Sequence, residues 1–103
     1  MEAGTSRALI AQDLGRDPAA FSELKGTVSN VDGTLRVRVD TIRSDAGNAF
    51  SSINSLIGVA RASGATRLEV EGTIANPDLL RVLQRRYGAT TNGANDGFTL
   101  PVK

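Results

Sequence analysis

The sequence predicts an α/β domain of the α+β kind, built on a mixed, mainly antiparallel sheet. Three observations carry this. Leu35, Val37, Val39 and Thr41 alternate with Arg36, Arg38 and Asp40, the period of two of a half-buried strand. Ala46, Ala49, Phe50, Ile53, Leu56, Ile57 and Ala60 recur at spacings of three and four, which makes one apolar stripe of a long helix. Asn76-Pro77-Asp78 is a helix start: the asparagine caps, the proline presets the first helical φ, and the aspartate complements the positive helix end.

The elements follow in order. Residues 5–15 read as a short helix, with Thr5 or Ser6 as cap and Gly15 as stop. Asp17-Pro18 opens a second short helix through Leu24, which buries Phe21 and Leu24. Segments 25–31 and 34–42 flank Asp32-Gly33, a strong hairpin signal because both turn residues tolerate positive φ. The long helix spans 46–63, capped by Asp45 and ended at Ser63-Gly64. A strand at 66–71 alternates Leu68 and Val70 with Glu69 and Glu71. A helix at 77–87 buries Leu79, Leu80, Leu83 and Tyr87 and stops at Gly88. Residues 90–94 and 98–102 close the chain as a hairpin, with Pro101 calling for an edge or a one-sided pairing. The predicted order is (α)(α)ββαβαββ.

Composition narrows the function classes. At 103 residues the chain is one domain, with 1–24 as a short helical segment and 25–103 as the core. Hydrophobic residues make up 40%, enough to fold. With no cysteine and no histidine, thiol catalysis is excluded and so are the commonest general base and zinc ligand; no metal site is expected. A net charge of +1 with four aromatic residues argues against nucleic acid and anionic membranes. No stretch is apolar enough to span a bilayer, and no signal-peptide pattern opens the chain. The expected location is cytoplasmic. Met1 before a small polar stretch fits a native start or an initiator placed on a domain cut from a longer protein.

The strongest candidate site is Ser44, Asp45, Ala46, Gly47, Asn48 and Ala49, between a strand end and the long helix. Small residues there let a ligand approach the backbone, and the free amides of a first helical turn suit a phosphate. Arg43 adds charge. Plain helix initiation, with Asp45 as cap, is the competing account. Arg81, Arg85 and Arg86 lie on the polar side of the second helix, where they suit an acidic partner, a phosphate or the helix's own C-terminal carbonyls. Glu69 and Glu71 with Arg36 and Arg38 form cross-sheet charge pairs on one wet face.

Segment 25–103 resembles the GCN5-related N-acetyltransferase (GNAT) family. In that family a hairpin leads to a Gln/Arg-x-x-Gly-x-Gly/Ala turn, a long helix, a strand, an asparagine-led helix and a closing hairpin. This chain offers Ser44-x-x-Gly47-x-Ala49 for the turn and a run from Asn76 to Tyr87-Gly88-Ala89 for the second helix. The family's frequent general-acid tyrosine falls on Gln84, with Tyr87 nearer the glycine. The resemblance implies a GNAT-like fold and an acetyl-CoA-dependent N-acyltransferase. Amides of 45–49 would hold the pyrophosphate of acetyl-CoA, and the strand around Arg38 to Thr41 would pair with its pantetheine arm. Asp40 is the candidate base, chosen from the strand carboxylates Asp40, Glu69 and Glu71. Tyr87 is the candidate acid.

The alternative is a non-catalytic interaction domain on the same fold, or a C-terminal effector domain of a larger bacterial polymorphic toxin. That reading implies a protein partner or an immunity-type inhibitor, and delivery into a target cell. A homodimer through the edge of the last hairpin is a further expectation.

Overall fold

A computed structural model describes residues 4–44, 49–72, 77–91 and 97–102. Six strands and two helices are present among them: β1 (Thr5–Ala8), β2 (Phe21–Val31), β3 (Thr34–Ser44), α1 (Ala49–Ala62), β4 (Arg67–Glu71), α2 (Pro77–Tyr87), β5 (Thr90–Thr91) and β6 (Gly97–Pro101). Two short 3-10 turns, Ala11–Leu14 and Pro18–Ala20, lie between β1 and β2. The strands form one sheet in the order β1-β2-β3-β4-β6-β5. Every neighbouring pair is antiparallel except β3 and β4, which run parallel. Parallel neighbours need a crossover, and α1 supplies it. The result is an α+β domain with a mixed, mostly antiparallel sheet.

The N-terminal segment departs from the expected pair of helices. Residues 5–8 form the edge strand β1, with Thr5 opposite Asn30 and Ala8 opposite Thr27. All of β1 is exposed, so no apolar stripe held this stretch as a helix, and the open edge of β2 offered a full ladder of partners instead. Only one 3-10 turn follows, ended by Gly15 in the left-handed region (φ 70). The second expected helix is likewise one turn: Asp17 accepts from the Ala19 amide at 2.9 Å, and Pro18 occupies the first position. From Phe21 the chain is already β2, so Phe21 and Leu24 pack against the core from a strand.

The β2–β3 turn is as the sequence implied. Asp32 (φ 50) and Gly33 (φ 76) both take positive φ, the type I′ geometry that matches strand twist, and Val31 pairs with Thr34. α1 is described from Ala49, and the expected start at 46 lies outside the described residues. It ends where Ser63-Gly64 predicted: Gly64 has φ 75, and the Ala65 amide reaches back to the Ala60 carbonyl at 2.9 Å. α2 spans Pro77–Tyr87, and Gly88 (φ 70) stops it. Pro101 pairs with Arg67 near the end of β6, past the reach of β5. The neighbouring bond runs from the Val102 amide to the Thr66 carbonyl at 2.8 Å, so on β4's side no donor is asked of the proline.

One face of the sheet carries the core. Val28, Leu35, Val37, Leu68, Phe98 and Leu100 meet Ile53, Leu56, Ile57 and Ala60 of α1 and Leu83 of α2. Leu9 and Leu14 close it from the 3-10 segment. Burying Phe98 or Leu35 contributes on the order of 1.5–3 kcal/mol each. The other face holds Ser29, Arg36, Glu69 and Thr99 in one row and Thr27, Arg38 and Glu71 in the next. Arg36 reaches Glu69 at 3.4 Å and Glu71 at 3.8 Å, the cross-sheet pairing that the alternation implied. Among the described residues no helix is long and apolar enough to cross a membrane.

Candidate functional site

The parallel ladder between β3 and β4 stops early. It runs from Thr34↔Arg67 to Arg38↔Glu71. β3 continues to Ser44, paired on its other side with β2. Past Arg38, no described strand pairs with the β4-facing edge of β3. At the stopping point Gly72 (φ 146) packs against β3: a Cβ placed on it would sit 3.0 Å from the Val39 carbonyl oxygen. Glycine is needed there because two backbones approach closely. In open α/β sheets, ligands favour the carboxyl ends of parallel strands.

A β-bulge lies at the same level. Lys25 pairs with Thr41 and Gly26 with Val39, so Asp40 is the extra residue of β3. Bulges re-aim side chains and are over-represented beside active sites. Gly26 makes this one fit, because a Cβ there would run into the Arg38 carbonyl. The sequence treated residues 35–41 as one unbroken alternation; the glycine within β2 was the available sign that the ladder is interrupted. Asp40 stands with Arg38 on the open face, 3.3 Å from its Nε, with side chains 53% and 67% exposed.

Tyr87 occupies a different region. It packs against the core on the helix-covered face, and its hydroxyl donates to Asn54 Oδ1 of α1 at 2.6 Å. Asp40 and Tyr87 therefore stand on opposite faces of the sheet and are not brought together. Ser44 closes β3 opposite Phe21, and Ala49 opens α1. Asp45, Ala46, Gly47 and Asn48 lie outside the described residues. Among the described residues no group of three His, Cys, Asp or Glu side chains could hold a metal ion.

Two features had no counterpart in the sequence reading. Asp13 is buried and bound by Arg7 of β1 through both carboxylate oxygens, at 2.6 and 2.8 Å. Neither residue lies on a periodic pattern, so only the fold reveals the pair. The second is an open cleft of about 540 Å³ between the helices, walled by Asn54, Ile57, Arg61, Arg86, Tyr87 and Val102. Set against protein-family models, curated proteins and solved structures, the chain matches none.

Proposed function

We propose that this chain is an acetyl-CoA-dependent N-acyltransferase-like domain with a GNAT-like arrangement of residues 25–103. The observation that supports it best is the end of the parallel ladder at Arg38↔Glu71. β3 outruns β4 beyond Arg38, its β4-facing edge carries no described strand partner, and a bulge at Asp40 interrupts it. An extended, amide-bearing arm fits such an edge as an added strand, with main-chain bonds giving affinity. The hairpin, crossover helix, parallel strand, second helix and closing strands follow in the family's order.

In this reading acetyl-CoA supplies an acyl group activated as a thioester. The β3 edge from Val39 onward aligns its arm, and the amides of residues 45–49 take its phosphates, as the resemblance implies. Asp40 accepts the proton of the attacking amine as the amide C–N bond forms and the thioester C–S bond breaks, and coenzyme A leaves as a thiolate that solvent protonates. Its pairing with Arg38 holds the carboxylate on the open face, where an amine substrate can reach it. Tyr87 takes no part in proton transfer, since its hydroxyl is engaged by Asn54.

Titration of the chain with acetyl-CoA tests this. Ligand at a hundredfold excess over its dissociation constant stabilises the fold by about 2.7 kcal/mol, which a thermal melt resolves. No shift at millimolar acetyl-CoA removes the proposal. A non-catalytic interaction domain then becomes the better reading, favoured by the engagement of both candidate proton-transfer groups within the chain, Asp40 with Arg38 and Tyr87 with Asn54.

A further inference from the structure

The cleft between the helices lies on the face of the sheet opposite Asp40, and nothing in the proposed transfer reaction uses it. Its floor is apolar: Ile57 and Val102 are both buried residues. One wall is the ring of Tyr87, held in place by the bond from its hydroxyl to Asn54. Two exposed guanidinium groups, Arg61 from the last turn of α1 and Arg86 from the last turn of α2, line the cleft together with Asn54 and Pro101. Among the described residues neither has an ion-pair partner. At about 540 Å³ the cleft falls within the usual size of small-molecule sites, which combine an apolar lining with a few polar groups.

We infer that this cleft binds a small amphiphilic carboxylate, with its apolar tail on Ile57, Val102 and the Tyr87 ring and its head between Arg61 and Arg86. The helix dipole accounts for basic residues in a last turn, but it does not select among them. Arg85 shares the last turn of α2 and lies outside the cleft lining, whereas Arg86 lies within it. Guanidinium groups match a planar carboxylate through paired N–H donors. Two of them from separate helices offset the negative ends of both helices, which would otherwise repel an anion there.

The probe is octanoate, with 1-octanol and octylammonium as tail-matched controls, followed by NMR and by thermal melts of the full chain. Octanoate is expected to shift the methyl resonances of Ile57 and Val102 and raise the melting temperature, with affinity that falls as salt rises. The double variant R61Q/R86Q is expected to bind it about tenfold or more weakly, and R85Q, which removes the same charge from the same helix end, as tightly as the parent. All three positions are exposed, and circular dichroism checks that each variant folds. Equal binding of 1-octanol, equal loss in R85Q, or no perturbation at Ile57 and Val102 would each overturn the assignment. The outcome is independent of acetyl-CoA binding, because the two sites share no residue.

Discussion

Arg7 of β1 grips Asp13 of the following 3-10 turn with two nearly parallel hydrogen bonds, at 2.6 and 2.8 Å, and Asp13 is only 4% exposed. The same carboxylate accepts the Ile10 amide at 3.0 Å. Burial alone would raise its pKa, but the Arg7 hydrogen bonds, the Ile10 amide and the Arg7 charge together hold it below the ordinary carboxylate value. A depressed folded value means that the stabilisation is fully present above the unfolded carboxyl pKa of about 3.9 and fades as pH falls through the lower folded one. Asp13→Asn should therefore cost about 1–3 kcal/mol at neutral pH. Urea unfolding should show the gap between parent and variant narrowing steadily below about pH 4. A gap that stays constant down to pH 2 would show that the charge of Asp13 contributes nothing.

The β2–β3 turn gives a second test. Gly33 sits at φ 76, and its carbonyl accepts from the amides of Thr66 and Arg67 at 2.7 and 3.2 Å. One residue thus sets both the hairpin and the entry of β4. A Cβ at this position would stand 3.5 Å from Thr66 Oγ1, so space is adequate and the cost of Gly33→Ala is conformational, about 1–2 kcal/mol. Asp32→Asn at the preceding position (φ 50) should be neutral or mildly stabilising, since asparagine tolerates the left-handed region. Denaturation midpoints of the two variants should move in that order.

The bulge separates packing from chemistry. Gly26→Ala forces a methyl group onto the Arg38 carbonyl, which should cost about 1–3 kcal/mol through backbone displacement and weaken acetyl-CoA binding along the β3 edge. Asp40→Asn leaves the backbone intact and removes an exposed ion pair whose worth is small, about 0–1 kcal/mol. It should melt near the parent, bind acetyl-CoA as well, and lower amine acetylation by about 10²–10⁴-fold. Unchanged turnover in Asp40→Asn would take the base role away from this residue.

The parts of the fold legible in the sequence are those written in local chemistry. Asp32-Gly33 marked a turn because both positions need positive φ. Pro77 and Gly88 bracket α2, because each is favoured at one helix end and disfavoured inside. What the sequence hid depends on partners far away in the chain. Residues 5–8 carry no pattern of their own and became a strand only because β2 offered an edge. The bulge at Asp40 depends on Gly26, and the sequence showed the alternation around Asp40 without the glycine's reach across the hairpin. The same limit applies to the candidate site. The order strand, helix, strand was readable, whereas the end of the β3–β4 ladder at Arg38↔Glu71 depends on the register of two segments distant in the chain. Tyr87 was correctly placed on a packed helix face, but its partner Asn54 belongs to the other helix, so its separation from Asp40 emerges only in three dimensions.

That separation yields a final test. Tyr87→Phe keeps the ring, the wall of the cleft and the contacts with the core, and removes only the donor to Asn54 Oδ1. Because Asn54 is exposed, water can replace the lost partner, and the cost should lie at the lower end of the usual 0.5–1.5 kcal/mol for one hydrogen bond. For a domain of this size that lowers the melting temperature by a few degrees at most. Acetylation turnover should be unchanged once the variant is assayed below its melting range, since the hydroxyl faces α1 and not the β3 edge. A fall in turnover with acetyl-CoA affinity intact would instead require the Tyr87 hydroxyl to leave Asn54 and act as the acid toward the departing thiolate, and it would move the catalytic centre to the helix-covered face.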